Sequence, residues 1–258
     1  MTFTNPSFPT SNDKYLYHFT TAESLMMILE SMSLRLSEFK NLNDLNETNP
    51  CCNWNDHGLS KIKIHKYIEE QCKLLCFSQN YWENNRIYSG INHPRMWAQY
   101  AGNNTGACII IDEPLFIERN KKILRGKSYI IDNVEYTTRA YNKHITISSD
   151  TEESIKQYYK QILFKKHIDW EREHERRLVI LDSSNINFLS IQNCVSAICL
   201  GNRFNKNKEY NEEFLHKILN NPQNKCYHQI HSQHFYRQCN IDGKIGCISY
   251  FIDIDKTQ

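Results

Sequence analysis

Apolar residues in this chain recur in short strand-like runs, which a smaller number of segments with helical spacing interrupt. The strand-like runs are residues 15–19, 34–37, 74–78, 106–112, 128–136, 178–181 and 194–200. Helical spacing marks the residues after Thr20, 57–73, 95–100, the residues after Asp150, and 209–220. Because helices do not follow every strand, the pattern predicts an α+β fold with a mixed or antiparallel β-sheet core and flanking helices. We expect a flexible segment over residues 1–14 and a single domain over residues 15–258.

Two of the predicted helices begin with a capping-box pattern, in which a capping residue precedes an acidic residue by three positions. Thr20 with Glu23 predicts the start of the first helix. Asp150 with Glu153 predicts the start of another, which is expected to run to about residue 166.

Composition narrows the classes of function. The chain has 258 residues with a formal net charge of +2, so no overall basic field would draw it to nucleic acid. No apolar run approaches the roughly 18 residues that span a bilayer, and residues 1–14 lack the apolar core of a secretory signal. We therefore expect a cytoplasmic protein without a membrane partner. The ten cysteines are scattered in apolar surroundings, which is typical of thiols in a reducing compartment.

Residues 170–180, Trp-Glu-Arg-Glu-His-Glu-Arg-Arg-Leu-Val-Ile, place charged residues directly before an apolar strand. On an extended strand the side chains alternate between faces, so Glu173, Glu175 and Arg177 are predicted to point the same way. Neighbouring carboxylates shift each other's pKa, and arginine supplies a two-point clamp for an anion. Two interpretations are open: a site for binding or catalysis, or an ion pair between Glu175 and Arg177 inside the domain.

An ordered series of short motifs resembles the bacterial family labelled "domain of unknown function 2971". It covers about residues 15–204 and comprises Tyr17-His18-Phe19-Thr20, Leu25, Ile28-Leu29, Ser37, Leu42-Asn43-Asp44 with Glu47, Cys76-Phe77-Ser78, Met96-Trp97-Ala98 with Tyr100, Gly106, Cys108, Lys166, Trp170, Glu173, Glu175, Arg177 and Leu200-Gly201. The label of this family assigns it no chemistry.

The layout is also similar to that of ADP-ribosyltransferases, which open on a strand bearing His or Arg and close on a strand bearing a catalytic Glu. This resemblance implies that NAD is a co-substrate, that no metal is required, and that the sheet core is split. Glu175 would be the catalytic carboxylate, and Glu173 would orient the acceptor or the sugar. His18 would hold the ribose on the adenosine side, while Arg177 or Arg35 would meet the pyrophosphate.

The same resemblance makes further residues candidates for contact with NAD. Tyr17 and Thr20 belong to the opening motif, and Thr20 shares the first position with His18. Ser37 and Tyr100 are alternatives for the middle polar element of that enzyme class. Trp97 and Tyr100 would stack on a flat ring, and core packing is the alternative reading of their helical spacing.

The function implied is transfer of ADP-ribose to a protein or nucleic acid by a bacterial toxin or anti-phage defence effector. Such an effector is expected to be controlled by a regulatory partner protein encoded nearby.

A second polar group, Asn43, Asp44 and Glu47, keeps other functions open. Asn and Asp commonly brace turns, so loop structure alone would explain the first two residues. If Asp44 and Glu47 met Glu173 and Glu175, four carboxylates could bind a hard cation, as in a metal-dependent nuclease or phosphodiesterase. A third alternative is a non-catalytic module that binds a nucleotide or a partner.

The end of the chain offers metal-ligating residue types without a recognisable spacing. Cys226, His228, His231, His234 and Cys239 match no zinc signature. The dipeptide Asp-Gly at 242–243 predicts a β-hairpin within residues 226–254.

Overall fold

A computed structural model of the protein describes residues 14–44, 53–54, 59–83, 86–138, 144–145, 151–183, 185–206, 208–210, 234–241 and 244–248. Some predictions fall outside these ranges: Glu47, the capping residue Asp150, residues 211–220 of the last predicted helix, the turn at 242–243, and the group Cys226, His228 and His231. Across the described ranges, no helix combines the length and apolar character that crossing a bilayer requires.

The helices are short and lie between strands. The α-helices are α1 (Ala22–Ser31), α2 (Leu59–Gln71), α3 (Pro94–Gln99), α4 (Glu113–Leu124), α5 (Thr151–Gln157) and α6 (Tyr159–Leu163). Single turns of 3-10 helix occur at Phe39–Asn41 and Phe204–Lys206, and a longer 3-10 segment spans Ile168–Glu173.

The strands account for most of the predicted apolar runs. They are β1 (Tyr15–Thr20), β2 (Ser33–Arg35), β3 (Ser37–Glu38), β4 (Asn53–Trp54), β5 (Lys73–Ser78), β6 (Tyr81–Glu83), β7 (Arg86–Tyr88), β8 (Ala107–Asp112), β9 (Tyr129–Asn133), β10 (Glu135–Thr137), β11 (His144–Ile145), β12 (Lys165–His167), β13 (Glu175–Ile180), β14 (Phe188–Ser190), β15 (Val195–Leu200), β16 (His234–Ile241) and β17 (Lys244–Ile248). The α+β class with a largely antiparallel, mixed sheet is therefore confirmed.

The described residues group into two compact units. Unit 1 draws on the described residues within 14–34, 77–121 and 190–248, and unit 2 draws on those within 35–76 and 122–189. The predictions of a single domain and of a split sheet stay predictions.

Unit 1 contains a sheet in the strand order β17-β16-β15-β8-β1. Strands β15 and β16 pair in parallel, whereas β16 with β17, β15 with β8, and β8 with β1 are antiparallel. The antiparallel pairing of β16 and β17 confirms the predicted C-terminal hairpin. All but the last residue of β8 are buried, which explains why its sequence is a continuous apolar run rather than an alternating one.

The core of unit 1 forms around the first strand and α3. Trp97 is fully buried, its ring meets Phe19 edge-on at 5.2 Å between centroids, and its indole N–H donates to the Ile91 carbonyl at 2.8 Å. Gly106 lies where β8 begins, and a side chain there would collide with the Thr20 carbonyl oxygen. This close approach of two backbones is possible because glycine has no Cβ.

Unit 2 is built on the antiparallel pairs β9–β13 and β3–β5, with β5 next to β13 in the strand order. Strands β10 and β12 form a separate parallel pair, in which Tyr136 lies opposite Lys166. The helices α2, α5 and α6 contribute to one buried cluster. Its members are Phe39, Ile64, Ile68, Cys72, Leu74, Val134, Ile155, Ile162, Leu163, Phe164, Val179 and Leu181.

Two predicted helices have a different end in the structure, the first at its start and the one after Asp150 at its finish. The N-cap of α1 is Thr21, whose hydroxyl accepts from the Ser24 N–H at 3.2 Å, because Thr20 is still the last residue of β1. The helix after Asp150 is interrupted at Tyr158 and ends at Leu163, because Lys166 belongs to β12 and pairs with β10.

One helix was not predicted, and one strand begins later than expected. Helix α4 follows β8 directly, with the Leu115 N–H donating to the Asp112 carboxylate at 2.9 Å. Proline in the first turn suits a helix start, since the amide it lacks would have no partner within the helix. Glu173, which we expected on an extended strand, is the last residue of the 3-10 segment, and His174 is left-handed (φ 43°), so β13 begins only at Glu175.

Candidate functional site

Four buried charged side chains meet in unit 2 at the start of β13. They are Lys166, Glu173, Glu175 and Arg177, and we call them the charge cluster. Their relative exposures lie between 0% and 7%, so the cluster is removed from bulk water. Burying two carboxylates with two cations keeps the cluster neutral, which is the arrangement that buried charge requires.

Glu175 and Arg177 form a two-point ion pair. The guanidinium donates from Nε to Oε1 at 2.6 Å and from Nη2 to Oε2 at 3.0 Å. A third guanidinium nitrogen, Nη1, donates to the Leu163 carbonyl at 2.6 Å. Both residues occupy alternate positions of β13, so their side chains share a face as the sequence predicted. The ion pair that we gave as the structural alternative for this segment is therefore present.

Lys166 joins the two carboxylates. Its ammonium lies 2.7 Å from Glu173 Oε2 and 3.1 Å from Glu175 Oε2. The same nitrogen lies 5.1 Å from the centroid of the Trp170 ring, a cation–π contact. Glu173 reaches this point from the end of a 3-10 helix rather than from a strand, because the left-handed His174 turns the chain between the two acids.

The backbone of Glu175 is fixed as well as its side chain. Its N–H donates to the Tyr136 hydroxyl oxygen at 2.8 Å, and its carbonyl accepts from the Val134 N–H at 2.9 Å. Tyr136 and Lys166 face each other across the parallel pair β10–β12, which brings both to the cluster.

The electrostatics of the cluster keep Glu175 ionised. Burial by itself raises the pKa of this carboxyl, but the charges of Arg177 and Lys166 and the hydrogen bonds from Arg177 and Cys76 outweigh that effect and lower its pKa to about 2. Burial, followed by the nearby Glu175 carboxylate, raises the pKa of Tyr136 above its usual range. At neutral pH the site therefore holds a fixed carboxylate beside a neutral phenol.

Ser37, a candidate for the middle polar element, and Asn43 and Asp44, the described residues of the second polar group, also belong to unit 2. Ser37 on β3 and Asn43 are exposed, whereas Asp44 is buried at 5% exposure. No set of three or more His, Cys, Asp or Glu side chains in the described part of the chain could hold a metal ion. Because Glu47 lies outside the described residues, the cation site of Asp44, Glu47, Glu173 and Glu175 that the sequence left open stays an untested alternative.

The remaining predicted residues belong to unit 1 and its core. Tyr17 is fully buried, and its hydroxyl donates to Asn80 Oδ1 at 2.7 Å. His18 is half-buried and meets Phe77 edge-on at 6.0 Å. Thr20 is buried, and Tyr100 packs at the margin of the core that contains Trp97. Because these residues and the charge cluster belong to different units, the predicted joint site of His18 and Glu175 stays a prediction.

Sequence reasoning assigned no role to Lys166 or Tyr136. Lys165 and Lys166 are adjacent and chemically identical, so the sequence does not indicate which one faces inward. The pairing of β12 with β10 decides it: Lys165 contacts Glu135 at 2.8 Å, while Lys166 turns to the cluster. The sequence carried no signal for this choice, because the burial of the two carboxylates, which requires a nearby cation, is a property of the folded structure.

Comparison with known families supports the resemblance over part of the chain. Residues 96–178 match the model of a family described as "Protein of unknown function (DUF2971)". The match begins at Met96 in α3 and ends at Leu178 in β13, so it includes all four members of the charge cluster. No curated protein and no solved structure matches the chain.

Proposed function

We propose that the protein is an NAD-consuming, ADP-ribosyltransferase-like enzyme in which Glu175 is the catalytic carboxylate. The observation that carries this proposal is the fixed, ionised carboxylate of Glu175 at the start of β13, with the second carboxylate of Glu173 beside it. A carboxylate held in place where water is excluded stabilises a sugar as it becomes cationic, because its charge is already oriented toward the developing positive charge.

The proposed step breaks the bond between C1′ of the ribose and the nicotinamide nitrogen. The electron pair of that bond leaves with nicotinamide, which becomes neutral, and positive charge develops on the ribose. A nucleophilic oxygen or nitrogen of the acceptor then bonds to C1′ and gives up its proton to solvent. Glu175 stabilises the cationic ribose and accepts a hydrogen bond from its 2′-hydroxyl, and Glu173 orients the acceptor or the sugar.

In the proposed reaction the ribose would reach the Glu175 carboxylate by replacing the weakest of its hydrogen-bond donors. An ionised carboxylate has about four positions at which it accepts hydrogen bonds. Arg177 occupies two of them and Lys166 a third, and the Cys76 thiol also donates to this carboxylate. A thiol is a weak donor, and Cys76 is only half-buried, so a ribose hydroxyl would replace the thiol rather than either cation.

The proposed acceptor is a protein or a nucleic acid, and the proposed setting is a toxin or anti-phage effector under the control of a partner protein. These finer points rest on the family resemblance. The roles given to His18, Tyr17, Thr20, Trp97 and Tyr100 rest on it in the same way.

The competing candidate is a module that binds a nucleotide or a partner without turnover. It is favoured by one observation: Glu175 is 3% exposed and already holds two cations. A carboxylate that is satisfied in this way can stabilise a fold without taking part in a reaction.

Nicotinamide release from NAD separates the two candidates. The wild-type protein should release nicotinamide, and Glu175→Gln, which removes the charge but keeps the shape, should reduce the rate by at least about a hundredfold. Glu171→Gln is the matched control, because Glu171 is an exposed acid in the same segment. Thermal stabilisation of the wild type by NAD without any release would favour the binding module.

A further inference from the structure

Lys166 is the member of the charge cluster that contacts both carboxylates. It lies in the middle of the three-residue strand β12, and its side chain is 6% exposed. Its ammonium contacts one oxygen of Glu173 and one of Glu175, at 2.7 and 3.1 Å. A single cation thus sets the position of each acid relative to the other.

Arg177 does not duplicate this role. Its guanidinium donates two hydrogen bonds to the Glu175 carboxylate and one to the Leu163 carbonyl. It therefore holds the Glu175 side chain against its own strand and links it to the end of α6. Lys166 makes the joint contact. Its ammonium extends from β12 and contacts Glu173 and Glu175, the residues on either side of His174.

Without the ammonium, two carboxylates would face each other in a buried site. Like charges at short range disfavour joint ionisation, so one of the two acids would take up a proton. The groups that surround Lys166 come from four elements: Glu173 and Trp170 from the 3-10 segment, Glu175 and Arg177 from β13, Tyr136 from β10, and Cys76 from β5 through Glu175. Arg177 would be the remaining cation among them.

We infer that Lys166 is a positioning residue of the proposed reaction, which holds Glu175 ionised and orients Glu173 and Glu175 toward the same point. This inference rests on the proposed function. It gives Lys166 no contact with NAD: the lysine acts through the two acids, one of which stabilises the ribose while the other orients the acceptor.

The kinetic test compares Lys166→Met with Lys165→Met. Lys165 is the matched control because it is the neighbouring lysine on the same strand and pairs with Glu135 outside the cluster. Lys166→Met should lower kcat for nicotinamide release about tenfold or more at neutral pH while changing KM for NAD little. The acid limb of its pH profile should move up by about one pH unit or more. Lys165→Met should keep the wild-type profile.

The conservative variant separates charge from mere packing. Lys166→Arg keeps a cation beside both acids, so its acid limb should stay at the wild-type pH even if its rate falls. If Lys166→Met does not fold, Lys166→Gln replaces it, since the glutamine amide is a hydrogen-bond donor that carries no charge. A Lys166→Gln profile equal to the wild-type profile would overturn the inference.

A second readout does not depend on activity. Carbon-13 NMR of labelled glutamate carboxyls should show one carboxyl that takes up a proton above its wild-type pH in Lys166→Met or Lys166→Gln, and not in Lys165→Met. If the wild-type protein releases no nicotinamide, the proposed function fails and this titration alone decides whether Lys166 keeps the pair ionised. If nicotinamide is released but both carboxyls stay ionised in the variants, the proposed function stands and the inference fails.

Discussion

Glu175 and Arg177 lie two positions apart on β13 and are joined at two points, with 2.6 Å from Nε to Oε1 and 3.0 Å from Nη2 to Oε2. The pair is buried, and Lys166 extends it to Glu173. Charge that is buried in this way stabilises the fold only while every member keeps its partner. We therefore expect the removal of one member of the charge cluster to affect the other three.

Removing Arg177 should be strongly destabilising. Arg177→Met leaves the Glu175 carboxylate buried without its main partner, and we expect the free energy of unfolding to fall by about 3–5 kcal/mol. Urea unfolding followed by circular dichroism measures this change. Arg176→Met is the control, because Arg176 is only half-buried and donates to Asn133 at the edge of the sheet. Equal losses in the two variants would contradict the assigned role of the ion pair.

The stability of the protein should depend on Glu175 in a definite pH window. The folded-state pKa of this carboxyl is lowered from 4.5 to about 2, so its contribution is complete above the unfolded value and is lost as the pH falls toward 2. The difference in unfolding free energy between the wild type and Glu175→Gln should therefore be largest above pH 5 and shrink on acidification. Urea unfolding at a series of pH values measures it. A difference that grows as the pH falls would show that the carboxyl is not held ionised.

Asn120 should be important for the stability of unit 1. Its buried amide donates to the carbonyls of Phe116 and Ser190 and accepts from the Ser190 N–H, each at 2.8 Å. Asn120→Ala leaves these backbone groups of Ser190 without that partner, and we expect a loss of about 2–3 kcal/mol. Thermal or urea unfolding measures it, with the exposed Asn202→Ala expected to change stability by no more than about 0.5 kcal/mol.

Two glycines should respond differently to substitution by alanine. At Gly106 a Cβ would meet the Thr20 carbonyl oxygen, which belongs to the backbone of β1 and cannot rotate away. At Gly126 the space is open and only the positive φ of 77° disfavours alanine. We expect Gly126→Ala to cost about 1 kcal/mol and Gly106→Ala clearly more, as judged by their unfolding midpoints. The reverse order would mean that β1 and β8 can separate at this point without cost.

Where the sequence predicted well, the signal was local. The run Ala107–Asp112 is apolar enough to indicate a buried strand by itself, and the helical spacing of Leu25 and Leu29 indicates α1. Where it predicted poorly, neighbours in space decided. Lys166 was expected at the end of a helix, but it pairs with Tyr136 of β10 and therefore belongs to the strand β12.

The charge cluster shows the same division. Alternation along a strand correctly placed Glu175 and Arg177 on one face, because that rule depends only on backbone geometry. It placed Glu173 on that face for the wrong reason, since this residue ends a 3-10 helix and a left-handed His174 turns the chain.

The amino-acid sequence by itself determined the buried strands with continuous apolar runs and the amphipathic helix α1, because apolar spacing acts over a few neighbouring residues. It also determined that Glu175 and Arg177 would share one face of β13. Only the tertiary structure decided that Lys166, from a separate strand, supplies the second cation and that water is excluded around all four side chains. Charge partners that lie on different strands are selected by strand pairing and burial, and neither of these produces a periodic pattern in the sequence.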